Sequence, residues 1–173
     1  MIGIISALIG LLLPTFAKAR QQSRIVTCRA QLQNIGSALQ AYLNDNGGCY
    51  PAAPYSPTFN PDRAPLLSEY LGKYVANTPK VFACPADSKY FPQYGLSYSY
   101  YQELGVRPVR QTHFYKVLRA VAHVPVLWDA ESFHGGNVPA NWLFADGHVD
   151  DFFEEVPAAA PQRAATTQSL GSR

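Results

Sequence analysis

The feature that most constrains this fold is an uncharged apolar run near the N-terminus, IGIISALIGLLL, from Ile2 to Leu13. As a helix it extends about 18 Å, whereas a bilayer core requires about 20 apolar residues. Three interpretations compete: the core of a signal peptide, a buried helix of a soluble domain, and the C-terminal part of a membrane helix. The run lacks the basic start of a signal peptide, and its apolar character on every side is unusual for a soluble helix. We therefore favour the third interpretation, in which the helix begins upstream of this sequence.

The helical pattern continues beyond this run in an amphipathic form. Pro14 removes one backbone hydrogen bond, which predicts a kink or a looser turn, and the segment from Asn44 to Gly48 supplies a C-terminal stop. The first 46 residues thus predict one helix about 65–70 Å long, part of which must lie outside its own domain. Between these points, apolar residues recur three and four positions apart on one face: Ile25, Cys28, Leu32, Ile35, Leu39 and Tyr42.

The remainder of the chain predicts short elements separated by turns. A short helix is expected over Leu66–Tyr74, and Asp146-Gly147 between apolar segments predicts a terminal hairpin, Asn141–Phe153. The fold class is therefore α+β, with the long helix, apolar first and amphipathic second, packed on a small antiparallel sheet. We divide the chain into an apolar segment (1–15), a globular domain (16–156) and a disordered tail (157–173). Further strands are expected at Lys80–Ala83, Tyr94–Tyr101 and Pro125–Asp129.

Composition narrows the function classes. Hydrophobic residues make up 47% of the chain, enough for a core, and the net charge is only +2. A charge this small argues against a nucleic-acid partner. The basic residues just after the apolar run, Lys18, Arg20, Arg24 and Arg29, have two interpretations: contact with lipid head groups or with acidic groups of a neighbouring subunit, or the solvated face of an ordinary helix.

Three segments carry a resemblance to a known family. Residues 2–51 combine the apolar helix, its proline, the basic patch and a Leu-x-x-Ile-Gly-x-Ala-Leu run at Leu32–Leu39. A CPAD segment follows at Cys84–Asp87, and WLFADGHVDDF begins at Trp142. Together they resemble type IV pilins and type II secretion pseudopilins, including a large subfamily with a histidine before an Asp-Gly pair. His134 would be that histidine, separated from Asp146 by 11 residues rather than the usual nine.

The resemblance implies a structural subunit, not an enzyme, that assembles into a helical cell-surface or secretion-system filament. Its partners would be copies of itself, related pilin-like subunits, inner-membrane assembly machinery and, before assembly, membrane lipid. The implied location is the inner membrane, with an extracytoplasmic C-terminal domain, and then a periplasmic or extracellular filament. The family's early Glu and leader site have no counterpart here. The terminal hairpin motif would be His134, Asp146 and Gly147, and the assembly helix would use Ile2, Ile5, Leu8, Ile9, Leu12, Leu13 and Pro14.

The three cysteines bear on this location, because an exported domain favours a disulfide. A helix places residue 45 about 25 Å from Cys28. The four residues from 46 to 49 can bring the chain back toward Cys28 by at most about 14 Å. A Cys28–Cys49 bridge is therefore poorly placed. We expect a bridge, if one forms, to join Cys84 with Cys28 or Cys49. Cys28 equally suits a role as a core thiol.

Cofactor and catalytic sites have little support in the sequence. A metal or hydrolytic site drawn from His134, Asp146 and His148 lacks the local spacing of transition-metal sites. Calcium could use Asp146, Asp150 and Asp151, although these residues do not form a ligand loop. We therefore predict no cofactor and no enzyme, with calcium the more plausible ion.

A second hypothesis is a membrane-tethered, extracytoplasmic binding module for a glycan or surface polymer. Its aromatic side chains would stack on sugar rings, although strand alternation sends half of them into the core. The candidate residues are Tyr94, Tyr98, Tyr100, Tyr101 and Trp142.

Overall fold

A computed structural model describes residues 2–56, 58, 64–135 and 140–151, with the backbone alone at 2–13 and 151. The predicted disordered tail lies outside the described residues. The helices are α1 (Ile2–Asp45), α2 (Leu67–Leu71), α3 (Tyr90–Tyr94) and α4 (His113–Leu118). The strands are β1 (Tyr98–Tyr100), β2 (Pro125–Asp129), β3 (Asn141–Phe144) and β4 (Val149–Asp151). Short 3-10 turns at Gly72–Val75, Pro79–Phe82, Gln102–Leu104, Val109–Gln111 and Val121–His123 join them.

The long helix predicted from the sequence is confirmed. α1 continues through Pro14 and ends at Asp45. Beyond it, Gly47 and Gly48 adopt φ values of 62° and 79°, and the Gly48 amide donates to the Leu43 carbonyl at 2.8 Å. Positive φ costs glycine little, so this pair closes the helix by satisfying a carbonyl that the ended helix leaves free.

The predicted apolar face of α1 is the face that packs on the domain. Five of its six residues are buried, from Ile25 at 8% exposed to Cys28 at 0%, and Tyr42 is half-buried against the same core. Gly36 lies on this face, where an added Cβ would come within 3.0 Å of Leu143 on β3. The missing side chain therefore allows the helix to approach the sheet closely.

The four strands form one antiparallel sheet in the order β1-β2-β3-β4. Paired residues share a face, so the register separates two cross-strand rows. The row of Tyr100, Leu127, Leu143 and Val149 packs in the core with the helix. The opposite face carries Ser99, Trp128, Trp142 and Asp150. The predicted α+β class and antiparallel sheet are thus confirmed.

The predicted strands differ in part from those observed. The strand expected at Lys80–Ala83 is wrong, since Pro79–Phe82 forms a 3-10 turn. Pro79 fixes φ and lacks an amide donor, which suits the first position of a helical turn better than a sheet. The strand expected over Tyr94–Tyr101 is shorter in the structure, where it covers Tyr98–Tyr100. Residues Tyr90–Tyr94 are helical instead, and Gly95, with φ 75°, ends that helix. The predicted Pro125–Asp129 strand is confirmed.

Candidate functional site

Four residues from four separate segments meet in the core below α1. Cys28 lies on α1, Cys84 follows the 3-10 turn Pro79–Phe82, Asp129 ends β2, and His134 lies in the loop after it. All four are buried, with residue exposures of 0–4%. Their ligand atoms, two sulfurs, one carboxylate oxygen and one imidazole nitrogen, lie within 4.8 Å of one another. We call this group the four-residue cluster.

Contacts within the cluster run from side chain to side chain. The Cys28 Sγ lies 3.1 Å from Asp129 Oδ1 and donates to it. The Cys84 Sγ lies 3.6 Å from His134 Nε2, which in turn lies 3.5 Å from Asp129 Oδ2. Each of the four side chains therefore contacts at least one other member of the cluster.

Neighbouring strands hold the carboxylate in place. Asn141, the first residue of β3, donates to Asp129 Oδ2 from both its backbone amide and its Nδ2, each at 2.9 Å. Arg29, next to Cys28 on α1, donates from Nε to Asn141 Oδ1 at 2.9 Å. The helix and two strands thus fix the orientation of Asp129.

The loop that carries Cys84 is held by a second carboxylate. The Cys84 amide donates to Ser97 Oγ at 2.9 Å, and Ser97 Oγ donates to Asp87 Oδ2 at 2.6 Å. Asp87 also accepts the amides of Lys89, Tyr90 and Phe91, at 2.7–2.8 Å, where α3 begins. The CPAD segment therefore places its cysteine in the cluster and uses its aspartate to hold the turn.

The cluster shifts the acidity of its own members. A hydrogen bond with Cys28 is the largest cause that lowers the pKa of Cys84, to about 6, against burial and with help from His134. The reciprocal hydrogen bond with Cys84, followed by burial, raises the pKa of Cys28. Burial lowers the pKa of His134, but hydrogen bonds and negative charge at Asp129 and Cys84 outweigh it and raise this pKa to about 9. The shifts therefore favour the deprotonated form of Cys84 and the protonated form of His134.

A thiolate beside an imidazolium suggests a cysteine nucleophile, but the geometry does not match one. In a nucleophile–histidine–acid relay, the nucleophile and the acid contact opposite ring nitrogens. Here Cys84 and Asp129 both contact Nε2 of His134. Nδ1 is buried and has no hydrogen-bond partner among the described residues. Cys84 is also only 2% exposed, so a substrate has no path to the sulfur without rearrangement.

The candidate set His134, Asp146 and His148 separates into two places. His134 belongs to the cluster, whereas Asp146 and His148 pair with each other in the exposed β3–β4 turn, Oδ1 to Nδ1 at 2.5 Å. Gly147 between them adopts φ 97°, as the predicted Asp-Gly turn requires. Of the calcium candidates, Asp146 thus has a partner in the turn, Asp150 lies on β4, and the Asp151 side chain is outside the described atoms. Among the side chains that the structure describes, only the four-residue cluster groups donors closely enough for a metal.

Sequence reasoning missed the cluster because its members lie at positions 28, 84, 129 and 134, without local spacing. One signal was present: Cys28 occupies the apolar face of α1, and a second cysteine opens the CPAD segment. The structure has all three cysteines as free thiols, with Cys28 and Cys84 in the cluster and Cys49 half-buried. The disulfide of Cys84 with Cys28 or Cys49 stays a prediction.

Residues 14–24 of α1 have a different environment from the rest of the helix that follows them. From Pro14 to Arg24 every residue is exposed, including Phe16 at 72%. Gln21 makes one described contact with the domain, donating from Nε2 to the His134 carbonyl at 2.6 Å. Lys18, Arg20 and Arg24 are exposed, whereas Arg29 is half-buried beside Asn141. In the described part of the chain, no helix has both the length and the apolar character needed to cross a membrane.

The five aromatic residues of the binding hypothesis differ in how far they are exposed. Tyr98 and Tyr100 are fully buried, so they offer no surface to a ligand. Trp142 lies on the opposite face of the sheet, where its ring stacks on Trp128 with centroids 4.7 Å apart. Tyr55, at 45% exposed, packs edge-on against Trp128. The remaining candidates, Tyr94 and Tyr101, are half-buried outside the strands.

Comparisons of the chain with protein-family models, curated proteins and solved structures gave no match.

Proposed function

We propose that this chain is a structural subunit of a helical filament, of the pilin or pseudopilin kind, assembled through its N-terminal helix. The observation that carries the proposal is the contrast along α1. One continuous helix buries its apolar face from Ile25 onward, while residues 14–24 are exposed. The uncharged run Ile2–Leu13 precedes these exposed residues on the same helix.

A helix of this kind supports assembly for a physical reason. Residues 2–24 extend about 34 Å as a helix. Their apolar side chains gain about 25 cal/mol for each Å² removed from water. Parallel helices from other copies can cover these side chains while each domain stays outside the bundle. Such contacts join different surfaces of neighbouring copies and do not close, which produces an open helical filament.

The basic residues near the base of this segment fit the same proposal. Lys18, Arg20 and Arg24 lie on the exposed half of α1, within reach of acidic groups on a neighbouring copy or of lipid head groups. The proposed partners are copies of this chain, related pilin-like subunits, inner-membrane assembly machinery and membrane lipid before assembly. The proposed location is the inner membrane and then a periplasmic or extracellular filament.

Charge placed in the apolar segment tests the proposal. In the full chain, Ile9→Lys with Leu12→Lys should leave monomers where the unchanged chain forms large assemblies, measured by sedimentation and electron microscopy. Val117→Lys is the matched control, because Val117 on α4 is 63% exposed and lies far along the chain from the helix. Deletion of residues 1–20 should likewise give a soluble monomer, since the buried face begins at Ile25. Assembly by the Ile9/Leu12 variant to the extent of the control would contradict the proposal.

The binding-module alternative is favoured by one observation, the aromatic surface of Tyr55, Trp128 and Trp142 on the face of the sheet that carries Ser99. Half-exposed indole rings suit stacking on a sugar face. If this surface binds a glycan, tryptophan fluorescence should change on titration with oligosaccharides, and Trp142→Ala should remove the change. A chain that assembles normally and shows no such change would exclude the alternative for the sugars tested.

A further inference from the structure

We propose that Cys28, Cys84, Asp129 and His134 bind one zinc ion in a closed, structural site. The inference is independent of filament assembly, because it rests on the interior of the domain and not on the exposed half of α1. It begins from the identity of the donor atoms: two thiol sulfurs, one imidazole nitrogen and one carboxylate oxygen. Sulfur and imidazole ligands in a set of four are typical of tetrahedral zinc, whereas calcium selects oxygen alone.

Two of the three side-chain separations that the cluster shows fall in the range of a tetrahedral site, and the third is slightly shorter. With ligands 2.0–2.3 Å from zinc, neighbouring donors in a tetrahedron lie about 3.3–3.8 Å apart. In the cluster, Cys84 Sγ and His134 Nε2 are 3.6 Å apart, and His134 Nε2 and Asp129 Oδ2 are 3.5 Å apart. Cys28 Sγ and Asp129 Oδ1 are 3.1 Å apart. Small side-chain shifts would therefore place all four donors around one ion.

The cluster buries negative charge that a divalent cation would neutralise. Asp129 is 3% exposed, beside two cysteines that are almost fully buried. A buried carboxylate and two sulfurs gain from a divalent cation, which replaces the water that they lost on folding.

The surroundings of the cluster suit a zinc site as well. Metal-binding carboxylates are usually oriented by hydrogen bonds from residues behind them. Asn141 supplies two such bonds to Asp129, and Arg29 in turn donates to Asn141 and holds it in place. A hollow of about 300 Å³ lies beside His134, lined by Gln21 and Ala86 among others, so a metal would enter the cluster from this side only after the side chains over it shift.

A zinc ion at this position would join three parts of the domain that are distant in sequence. Cys28 anchors α1, Cys84 anchors the loop before α3, and Asp129 with His134 anchors the end of β2 and the loop after it. Because the unfolded chain has no preformed site, binding would stabilise the folded domain. The ligand set also leaves no open position, which makes the site structural and not catalytic.

The metal content of the full chain tests this proposal. We expect about one zinc ion per chain by elemental analysis, with the thiols of Cys28 and Cys84 unreactive until a chelator is added. Chelation should lower the melting temperature, and added zinc should restore it. Cys84→Ser should lose the zinc, while the matched control Cys49→Ser should keep it, since Cys49 lies outside the cluster. Asn141→Ala should weaken zinc binding about 10- to 100-fold.

A second measurement covers the case in which Cys84→Ser fails to fold. Cobalt bound to the unchanged chain should give sulfur-to-cobalt charge-transfer absorption and the intense visible bands of tetrahedral cobalt. Three results would overturn the proposal: a chain without zinc that also lacks the cobalt bands, equal zinc in the folded Cys84→Ser variant and the unchanged chain, or a Cys28–Cys84 disulfide. The last would appear as a mass lower by two hydrogens, with no metal bound.

Discussion

The His134 imidazole and the Asp129 carboxylate lie side by side in the core, with Nε2 3.5 Å from Oδ2 and side-chain exposures of 1% and 0%. A histidine buried this deeply would ordinarily be neutral, because burial disfavours its charged form. In the metal-free protein the hydrogen bonds and charges of Asp129 and Cys84 reverse that effect and raise the pKa of His134 to about 9. The pair therefore links the protonation of the core to the stability of the domain.

The first prediction concerns this histidine in metal-free protein. Its folded pKa is above the unfolded value of about 6.5. The stability from its proton should therefore be complete below about pH 6.5 and be lost as the pH rises through about 9. NMR titration of the ring should give the folded value, and Asp129→Asn should lower it, since a carboxylate that favours the charged ring is removed. A His134 ring that titrates near its ordinary value in the metal-free, otherwise unchanged chain would contradict the prediction.

A second prediction concerns the face of α1 that packs on the sheet. Leu32 is fully buried in the core, so Leu32→Ala should lower the free energy of unfolding by about 2–5 kcal/mol. The matched control is Val26, which lies on the same helix but is 58% exposed. Val26→Ala should change the free energy of unfolding by less than about 0.5 kcal/mol. Urea denaturation of both variants measures the difference, and equal effects would contradict the observed orientation of the helix.

A third prediction concerns Asp87, which holds the loop beside Cys84. Its carboxylate accepts bonds from Ser97 and from three backbone amides, so Asp87→Ala should cost about 1–3 kcal/mol. Burial raises the pKa of Asp87, but these hydrogen bonds outweigh it and lower the pKa below its ordinary value. The stability from this carboxylate is therefore present near neutral pH and should be lost as the pH falls below about 4.

Thermal unfolding as a function of pH measures the effect of Asp87. Glu131→Gln provides the control, because Glu131 forms an exposed ion pair with Lys89 at 3.6 Å. Exposed pairs contribute about 0–1 kcal/mol. An Asp87→Ala variant as stable as the control would show that the hydrogen bonds of Asp87 do not hold this loop.

A fourth prediction concerns the β3–β4 turn. Gly147 adopts φ 97°, and no atom lies within 4 Å of the position of an added Cβ. Gly147→Ala should therefore destabilise the domain through backbone strain alone, by about 1–2 kcal/mol. Gly36→Ala is an informative contrast, because its cost would come from contact with Leu143 and not from φ. Chemical denaturation of each glycine variant, with and without Leu143→Ala, separates the two causes. Leu143→Ala should reduce the destabilisation caused by Gly36→Ala, because it removes the side chain that the new Cβ contacts. The destabilisation caused by Gly147→Ala should stay the same.

Much of this fold was determined locally and was therefore readable from the sequence. The spacing of apolar residues from Ile25 to Leu39 set the buried face of α1, because helix geometry relates residues three and four apart. The glycines after Asp45 set its end, and Asp146-Gly147 set the terminal turn, because each requires only local backbone conformations. The segment Lys80–Ala83 was misread, since short apolar runs do not distinguish a strand from a helical turn.

Contacts between distant segments determine which polar groups meet in the core. Cys28, Cys84, Asp129 and His134 are separated by 56, 45 and 5 positions, and no local pattern relates them. The sequence placed His134 with Asp146 and His148, because they were close in the chain, yet the sheet directs His134 inward and leaves the other two in an exposed turn. Helix packing and strand register, which depend on contacts between distant segments, bring the four together. Local patterns therefore set the long helix, its buried face and the terminal turn, whereas packing between distant segments assembled the buried cluster.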